Sequence, residues 1–247
     1  MLPQVVNTAL ETGEVIRADG TRIALHANVS GEEAARLYNL VRVRKPNATI
    51  EIGLAQGISA LAIAQALKDN ASGALHHIVD PFQSSKYESV GLTSLDRAHL
   101  REHVRFYEAF PEEAVPTLPE ADFAFIDASH LFDLTVLDFV LVDKRLKVGG
   151  LIGFHDLWLN SVRRVLRYIL TNRAYRIYED VAPPQLSARK KRKSQVAAVA
   201  RRVPYADRVL RAEVLRPTHE LGIHGSMVFI EKTGEGDERH FRSYVDF

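Results

Sequence analysis

The sequence has no cysteine, no excess of charged residues of one sign and no long apolar run. Without cysteine, disulfide bonds, thiolate metal sites and a cysteine nucleophile are excluded. The 32 Lys and Arg residues nearly balance 31 Asp and Glu residues, and a net charge of +1 selects no partner. The apolar stretches are strand-sized, well below the roughly 20 residues that a bilayer span needs. Residues 1–13 lack the basic and apolar segments of a secretory signal, so we expect a cytoplasmic protein.

The sequence does contain an alternation of strand-like and helix-like segments. A helix is predicted at residues 30–43, where Ser30 can cap the N-terminus and the acids Glu32 and Glu33 suit the helix dipole. Strands are predicted at residues 49–53, 75–80, 104–109, 121–127, 151–154, 175–179 and 226–232, and further helices at residues 58–68, 131–146 and 161–171. This order predicts an α/β fold with a mostly parallel sheet and helices on both faces.

Two of the predicted helices have clear apolar and polar sides. The helix at residues 131–146 is expected to turn Leu134, Leu137 and Leu141 inward, and the helix at residues 161–171 to carry its arginines outside.

One segment, residues 182–222, is too long for an ordinary connection between the last two strands. It contains the basic run at residues 189–193. We interpret it as a solvated, partly helical insertion; a lid or substrate-recognition arm and a phosphate-binding patch are the alternatives. The chain is thereby divided into an N-terminal segment, residues 1–29, and one domain, residues 30–247, that carries the insertion.

The strongest motif is EIGLAQGISA at residues 51–60, where a strand meets a helix. Gly53 permits a sharp turn, and Gly57 lets a ligand approach the helix N-terminus, whose free N–H groups bind polar groups. The motif is neither the dinucleotide fingerprint Gly-x-Gly-x-x-Gly nor a P-loop. Taken alone it predicts a ligand-binding turn, with close strand–helix packing as the alternative.

Polar residues follow three further predicted strands. Asp80 stands where a carboxylate can accept hydrogen bonds from ribose hydroxyls, although Asp-Pro is also a common turn. Asp127 ends another strand, and His155 and Asp156 follow the strand that begins after the glycine pair at residues 149–150, where we expect a break in the chain. Open α/β sheets bind ligands at this edge, so the four elements predict one shared site.

Together these elements resemble the class I methyltransferases that depend on S-adenosylmethionine (SAM), most closely the small-molecule O-methyltransferase branch with its catechol-type and bacterial natural-product members. The resemblance covers roughly residues 30–171 and 226–232. It implies a Rossmann-like, seven-stranded, mostly parallel sheet with an antiparallel last strand. It also implies a glycine loop that holds the methionine part of SAM and an acid that holds the ribose. The cofactor-binding residues that it implies are Glu51, Gly53, Gln56, Gly57, Ser59, Asp80 and Asp127.

The resemblance further implies a divalent metal site and a catalytic base. In catechol-type relatives an acid and an adjacent acidic or amide pair bind the metal; Asp127 matches the acid, and His155 and Asp156 stand at the pair. The histidine departs from the family because Mg²⁺ prefers oxygen ligands, which leaves metal dependence open. His130 stands where these relatives have a lysine base, and histidine titrates near neutrality. Asp127 and His130 are therefore the predicted catalytic residues, with a helix-starting role as the alternative for His130.

Four other histidines are interpreted as structural. His76 and His77 are neighbours on a strand, so they point to opposite faces. His99 and His103 have the i, i+4 spacing of a helical metal site, but a solvated helix face is favoured.

The function predicted is O-methylation of a small-molecule hydroxyl. The alternatives are an oxidoreductase that binds a nucleoside cofactor and a non-catalytic cofactor-binding module. The absence of Gly-x-Gly-x-x-Gly weighs against the oxidoreductase. We expect a small-molecule acceptor as partner, neither nucleic acid nor membrane, and consider a homodimer. Adenine is expected near Glu108, Ala109 or Phe110, and the acceptor near residues 1–28 and 182–222.

Overall fold

The chain folds around a seven-stranded sheet, seen here in a computed structural model that describes residues 1–178, 185–236 and 244–247. The strands are β1 (Glu14–Ile16), β2 (Arg22–Ala24), β3 (Ala48–Ile52), β4 (Leu75–Val79), β5 (Val104–Tyr107), β6 (Ala121–Ile126), β7 (Leu146–Phe154), β8 (Tyr175–Tyr178) and β9 (Val228–Lys232). The α-helices are α1 (Gln4–Thr12), α2 (Gly31–Arg44), α3 (Ile58–Asn70), α4 (Val90–Arg97), α5 (Pro111–Ala114), α6 (Phe132–Asp143), α7 (Asn160–Asn172), α8 (Ala188–Ala200), α9 (Ala206–Val209) and α10 (Ala212–Leu215).

The predicted sheet is confirmed in strand number and direction. Its order is β5-β4-β3-β6-β7-β9-β8. The first five strands in this order are parallel, and β9 runs antiparallel to both β7 and β8. Helices α1, α2, α3 and α4 pack on one face of the sheet through one apolar cluster. Helices α5, α6 and α7 pack on the other face through a second cluster. Helices therefore cover both faces, as the alternating pattern predicts.

The four predicted ligand-bearing strands end side by side. The Gly53 N–H donates to Val79 O at 2.9 Å, and the Asp127 N–H donates to Ile52 O at 3.0 Å. The His155 N–H reaches the backbone oxygen at the end of β6 at 3.4 Å. These bonds continue the parallel ladders past the last strand residues, so the loops after β3, β4, β6 and β7 share one edge of the sheet.

The N-terminal part of the chain is built into the same core. Ser30 caps α2 in a capping box with Glu33, which confirms the predicted helix start. Before it, α1 and the β1–β2 hairpin pack on the α1–α4 side of the sheet, where Val6, Val15 and Val29 are buried. Residues 1–29 therefore pack against the domain that follows them.

Some side-chain predictions are wrong. Leu134 on α6 is exposed, and the buried positions of that helix include Thr135 and Phe139. Arg167 on α7 was expected outside but is buried, because the insertion covers it and Arg216 O accepts from its Nη1 at 2.7 Å. The glycine pair at residues 149–150 does not break the chain before a strand, since β7 runs through it.

The proposed helical pair His99 and His103 is also wrong. Helix α4 ends at Arg97, His99 has a left-handed φ of 53°, and His103 lies in a 3₁₀ turn. The two histidines therefore share no helix face.

The predicted insertion separates β8 from β9, and its described residues are partly helical. Residues 182–184 of it lie outside the described residues, as does Glu179, the last residue of a predicted strand. The basic run at residues 189–193 belongs to α8 and is exposed, as the solvated interpretation expects. In the described part of the chain, no helix combines the length and apolarity that a membrane span requires.

Candidate active site

The loop after β3 turns at Gly53 and enters α3 at Gly57. Gly53 has a φ of 96°, and a Cβ atom on it would lie 2.1 Å from the backbone oxygen of Asp127. Gly57 is the N-cap of α3 with a φ of 90°, and no described side chain caps this helix end. Glycine is therefore required at the first position, and the first-turn N–H groups of α3 can receive a polar ligand group.

Glu51 and Ser59 form a buried polar group beneath this loop. The Glu51 carboxylate accepts a hydrogen bond from the Ser59 hydroxyl and lies 2.6 Å from Nε2 of His76. Nδ1 of His76 lies 2.8 Å from the Thr49 hydroxyl. These contacts tie the start of α3 to β3 and β4, so both predicted cofactor residues support the loop from below.

Gln56 uses both of its side-chain polar atoms on the N-terminal hairpin. Its Oε1 accepts from the His26 N–H at 2.6 Å, and its Nε2 donates to Ala24 O at 3.0 Å. The side chain is buried. Gln56 therefore holds the β1–β2 hairpin on the loop, and its predicted cofactor contact gains no support from this geometry.

Asp80 is buried at the same loop and accepts from three backbone N–H groups. Its Oδ2 accepts from Leu54 at 3.0 Å and Ala55 at 3.1 Å, and its Oδ1 accepts from Phe82 at 2.8 Å. Gln83 adds a fourth bond through its Nε2 at 3.1 Å. The carboxylate fixes the shape of the glycine loop, and its predicted ribose contact stays a prediction.

Next to Asp80, the ends of β4 and β5 carry the residues expected near adenine. Ser84 donates its hydroxyl and its N–H, the latter at 2.7 Å, to Glu108, and these bonds lower the pKa of that carboxyl. Phe110 meets Phe82 edge to face with ring centroids 6.1 Å apart, and both rings are about half exposed. This pair offers an apolar surface of the kind that a purine packs on.

Two carboxylates and two histidines alternate at the ends of β6 and β7. Asp127 lies 3.1 Å from Nε2 of His130 through Oδ1 and 3.4 Å from Nδ1 of His155 through Oδ2. Asp156 does the same, with Oδ2 at 3.0 Å from His130 and Oδ1 at 3.4 Å from His155. The structure brings these four residues together, all of which were predicted site residues, and we call them the acid–histidine cluster.

The cluster has an open and a buried side. The His130 side chain is 33% exposed and the His155 side chain only 9% exposed. His130 and Asp156 both adopt the left-handed backbone region, with φ of 60° and 55°. Such conformations cost energy for non-glycine residues and concentrate at functional sites. His130 therefore lies on the open side of the cluster.

Carboxylates set the charge of both histidines. Hydrogen bonds to Asp127 and Asp156 raise the pKa of His130 to about 9. Burial opposes the charge of His155, but its contacts with Asp127 and Glu33 prevail and raise its pKa to about 10. The pKa of Asp127 is lowered: burial acts to raise it, and the two histidines outweigh that effect. At neutral pH the cluster is two imidazolium rings between ionised carboxylates.

The donor atoms of Asp127, His130 and Asp156 lie within 4.8 Å of one another, close enough to hold a metal ion. Two carboxylates and one imidazole suit Mn²⁺ or Fe²⁺ better than Mg²⁺. The predicted metal set included His155, which instead lies on the buried side of both carboxylates. Among the described residues, His130 replaces it in the cluster that fits a metal.

Two residues at this site were missed by sequence reasoning. Glu33, on the first turn of α2, lies 3.4 Å from Nε2 of His155. Trp158 donates its indole N–H to Asp156 at 2.8 Å while 68% of its surface is exposed. The sequence explained Glu33 as a first-turn acid that suits the helix dipole, and nothing local connects it to a residue 122 positions away.

Comparison with known proteins agrees with this architecture. Residues 50–157 match the model of a family described as a methyltransferase domain. That range contains the glycine loop, Asp80 and the whole acid–histidine cluster. The matched residues therefore resemble a methyltransferase domain.

Curated proteins similar to this chain include plant enzymes. Caffeoyl-CoA O-methyltransferase 2 of Petunia hybrida is 32% identical over 148 residues, which are 54% of this chain and 55% of the relative. The caffeoyl-CoA O-methyltransferase of Petroselinum crispum is 31% identical over 145 residues, 54% of this chain and 56% of the relative. The chain thus spans about half the length of the curated relatives it matches.

Solved structures share the fold of this chain. An O-methyltransferase from Bacillus cereus, in complex with SAH, has a TM-score of 0.55 at 19% identity and covers 62% of this chain and 76% of its own. TomG of Streptomyces achromogenes, in complex with SAM, has a TM-score of 0.54 at 16% identity over 94% of this chain and 90% of its own. At these identities the similarity concerns the fold.

Proposed function

We propose that this protein is a SAM-dependent methyltransferase that methylates a hydroxyl group of a small molecule. The observation that carries the proposal is the contact between the glycine loop and the acid–histidine cluster. Gly53 of the glycine loop packs directly on the backbone of Asp127, so a ligand on the loop lies next to the acid–histidine cluster. Methyl transfer requires the methyl carbon of the donor and the nucleophile of the acceptor to be held in contact and in line. Neighbouring sites for the two ligands meet this requirement.

The glycine loop would hold the cofactor. SAM supplies a methyl group on a sulfonium, a carbon that needs no further activation. The chain provides a turn at Gly53, an uncapped helix end at Gly57 for polar groups of the ligand, and the Phe82–Phe110 pair for an adenine ring. Glu51, Ser59, Gln56 and Asp80 keep this loop rigid from the protein side.

His130 would take the proton of the acceptor hydroxyl. It is the exposed histidine of the cluster, and Asp127 and Asp156 fix its ring through Nε2. Because the carboxylates hold its pKa near 9, the base form grows as the pH rises toward that value. Asp127 and Asp156 then stabilise the imidazolium that forms.

The same residues offer a divalent metal its ligands. Asp127, His130 and Asp156 would hold the ion, and their donor set fits one. When bound, such an ion would supply Lewis acidity that lowers the pKa of a nearby hydroxyl. In that state His130 is a ligand, so removal of divalent ions separates its two roles.

The acceptor would lie beside Trp158 and Leu131. Both side chains are more than half exposed, and both adjoin the acid–histidine cluster along the chain. The indole is held by its bond to Asp156, so its ring face is presented in a fixed orientation. An aromatic hydroxyl fits this wall, and the plant relatives are named for caffeoyl-CoA.

A cytoplasmic location, a homodimer and the division of the chain at residues 30 and 182–222 stay predictions of the sequence.

The proposal is tested by methyl transfer. The full chain is incubated with SAM and a mixture of catechol, caffeoyl-CoA and a primary amine, with and without EDTA, and products are analysed by mass spectrometry. We expect SAH to form and a hydroxyl acceptor to gain one methyl group. Methylation of the amine alone would contradict the choice of oxygen. No transfer by a chain that binds SAH would favour the non-catalytic module.

A further inference from the structure

Glu33 reaches the acid–histidine cluster from α2, outside the matched range of residues 50–157. We propose that Glu33 is a positioning residue, which acts through His155 to hold Asp127 and Asp156 on His130. This inference rests on the proposed function, because it assigns the support of the same site.

The first step is the contact between Glu33 and His155. Oε2 of Glu33 lies 3.4 Å from Nε2 of the histidine, and both side chains are largely buried. Nδ1 of the same ring faces Asp127 and Asp156. With acceptors at both ring nitrogens, a rotation of His155 about its side-chain bonds would break contacts at both ends, so Glu33 fixes the plane of the ring.

The second step runs from His155 to the exposed histidine. Each carboxylate offers one oxygen to His155 and the other oxygen to His130. A carboxylate that loses its contact on the buried side is free to turn, and its second oxygen then leaves His130. The orientation of His130 therefore depends on Glu33 through two parallel bridges, Asp127 and Asp156.

Glu33 is itself held in place by more than the helix cap. The capping box accounts for its bonds with Ser30, from the N–H at 2.8 Å and from the hydroxyl at 2.9 Å. The hydroxyl of Ser226, just before β9, donates to the other carboxylate oxygen. A residue that served only as a cap would need neither Ser226 nor His155. Glu33 thus links α2, β7 and the segment before β9 at the buried side of the cluster.

The test compares Glu33→Gln with a matched control, Glu32→Gln. The control removes the neighbouring first-turn charge and leaves the bonds of Glu33 to Ser30, Ser226 and His155 in place. The full chain is labelled with ¹⁵N-histidine, and the ring signals of His155 and His130 are recorded. We expect Glu33→Gln to shift both signals, while Glu32→Gln leaves both in place.

Activity gives a second readout. With the acceptor found for the wild type, Glu33→Gln should lower kcat about 10-fold, as loss of an outer ligand-orienting contact does, with KM and SAH affinity within about twofold. Glu33→Asp keeps the charge and the cap but withdraws the carboxylate from His155 by one methylene. This variant replaces Glu33→Gln in the test if Glu33→Gln does not fold. Unchanged His130 signals in both Glu33 variants would overturn the inference. Failure of the wild type to bind SAH would instead overturn the proposed function, and the ring signals would still report on Glu33.

Discussion

Replacing His130 with alanine should lower kcat about 10²–10⁴-fold and leave the affinity for SAH within about twofold. This range is the contribution that a general base typically makes to the rate of an enzyme reaction. The ring stands between two carboxylates on the exposed side of the cluster, whereas Gly53 of the glycine loop lies against the backbone of Asp127. Turnover is measured with the acceptor found for the wild type in EDTA, and SAH affinity by calorimetry.

His99→Ala is the matched control for this variant. His99 is an exposed histidine with a φ of 53°, close to the 60° of His130, and it lies after α4, away from the cluster. Its replacement should change neither kcat nor SAH binding. If His130→Ala turned over at the wild-type rate in EDTA, the base assignment would be wrong.

The same assignment fixes the direction of the pH dependence. Because Asp127 and Asp156 raise the pKa of His130 to about 9, its base form is scarce at neutral pH and increases as pH rises. Without divalent ions, kcat should therefore climb above neutral pH, reach half of its maximum near pH 9 and level off at higher pH. His130→Ala should lose this rise.

Replacing Gly53 with alanine should abolish SAH binding and destabilise the fold. The new Cβ atom would lie 2.1 Å from the backbone oxygen of Asp127 and 2.9 Å from its carbonyl carbon. Neither atom can move without shifting β6, and the φ of 96° is itself unfavourable for alanine. The loop must therefore separate from the strand end that carries Asp127. Calorimetry with SAH and thermal unfolding measure the two effects.

Gly73→Ala separates this clash from simple backbone strain. Gly73 also has a positive φ, 71°, but a Cβ atom there meets nothing within 4 Å. Its replacement should cost about 1–2 kcal/mol of unfolding free energy and leave SAH binding intact. If Gly53→Ala behaved like Gly73→Ala, the close approach of loop and strand would not matter for the site.

The site could be located from the sequence because its residues follow strands. Parallel strands end at a common edge, so Gly53, Asp80, Asp127 and Asp156 had to lie near one another once the alternation of strands and helices was seen. The start of α2 was equally predictable, since Ser30 and Glu33 form a local pattern.

What the sequence could not give were the contacts between distant segments. Gln56 lies in the glycine loop but bonds to backbone at the β1–β2 hairpin, which was not predicted although the turn dipeptide Asp19-Gly20 lies between its strands. Arg167 has the helical position of a surface residue and becomes buried only because the insertion folds over it. His155 belonged to the predicted metal pair, yet β7 turns it toward Glu33 and leaves that place to His130.

The central claim is that the glycine loop binds SAM, and calorimetric titration of the wild type with SAH and with NAD tests it most directly. We predict that SAH binds in a 1:1 ratio, with a Kd within the range of about 1 µM to 1 mM that is usual for enzyme ligands, and that NAD does not bind. Binding of NAD in preference to SAH, or of neither ligand, would contradict the account.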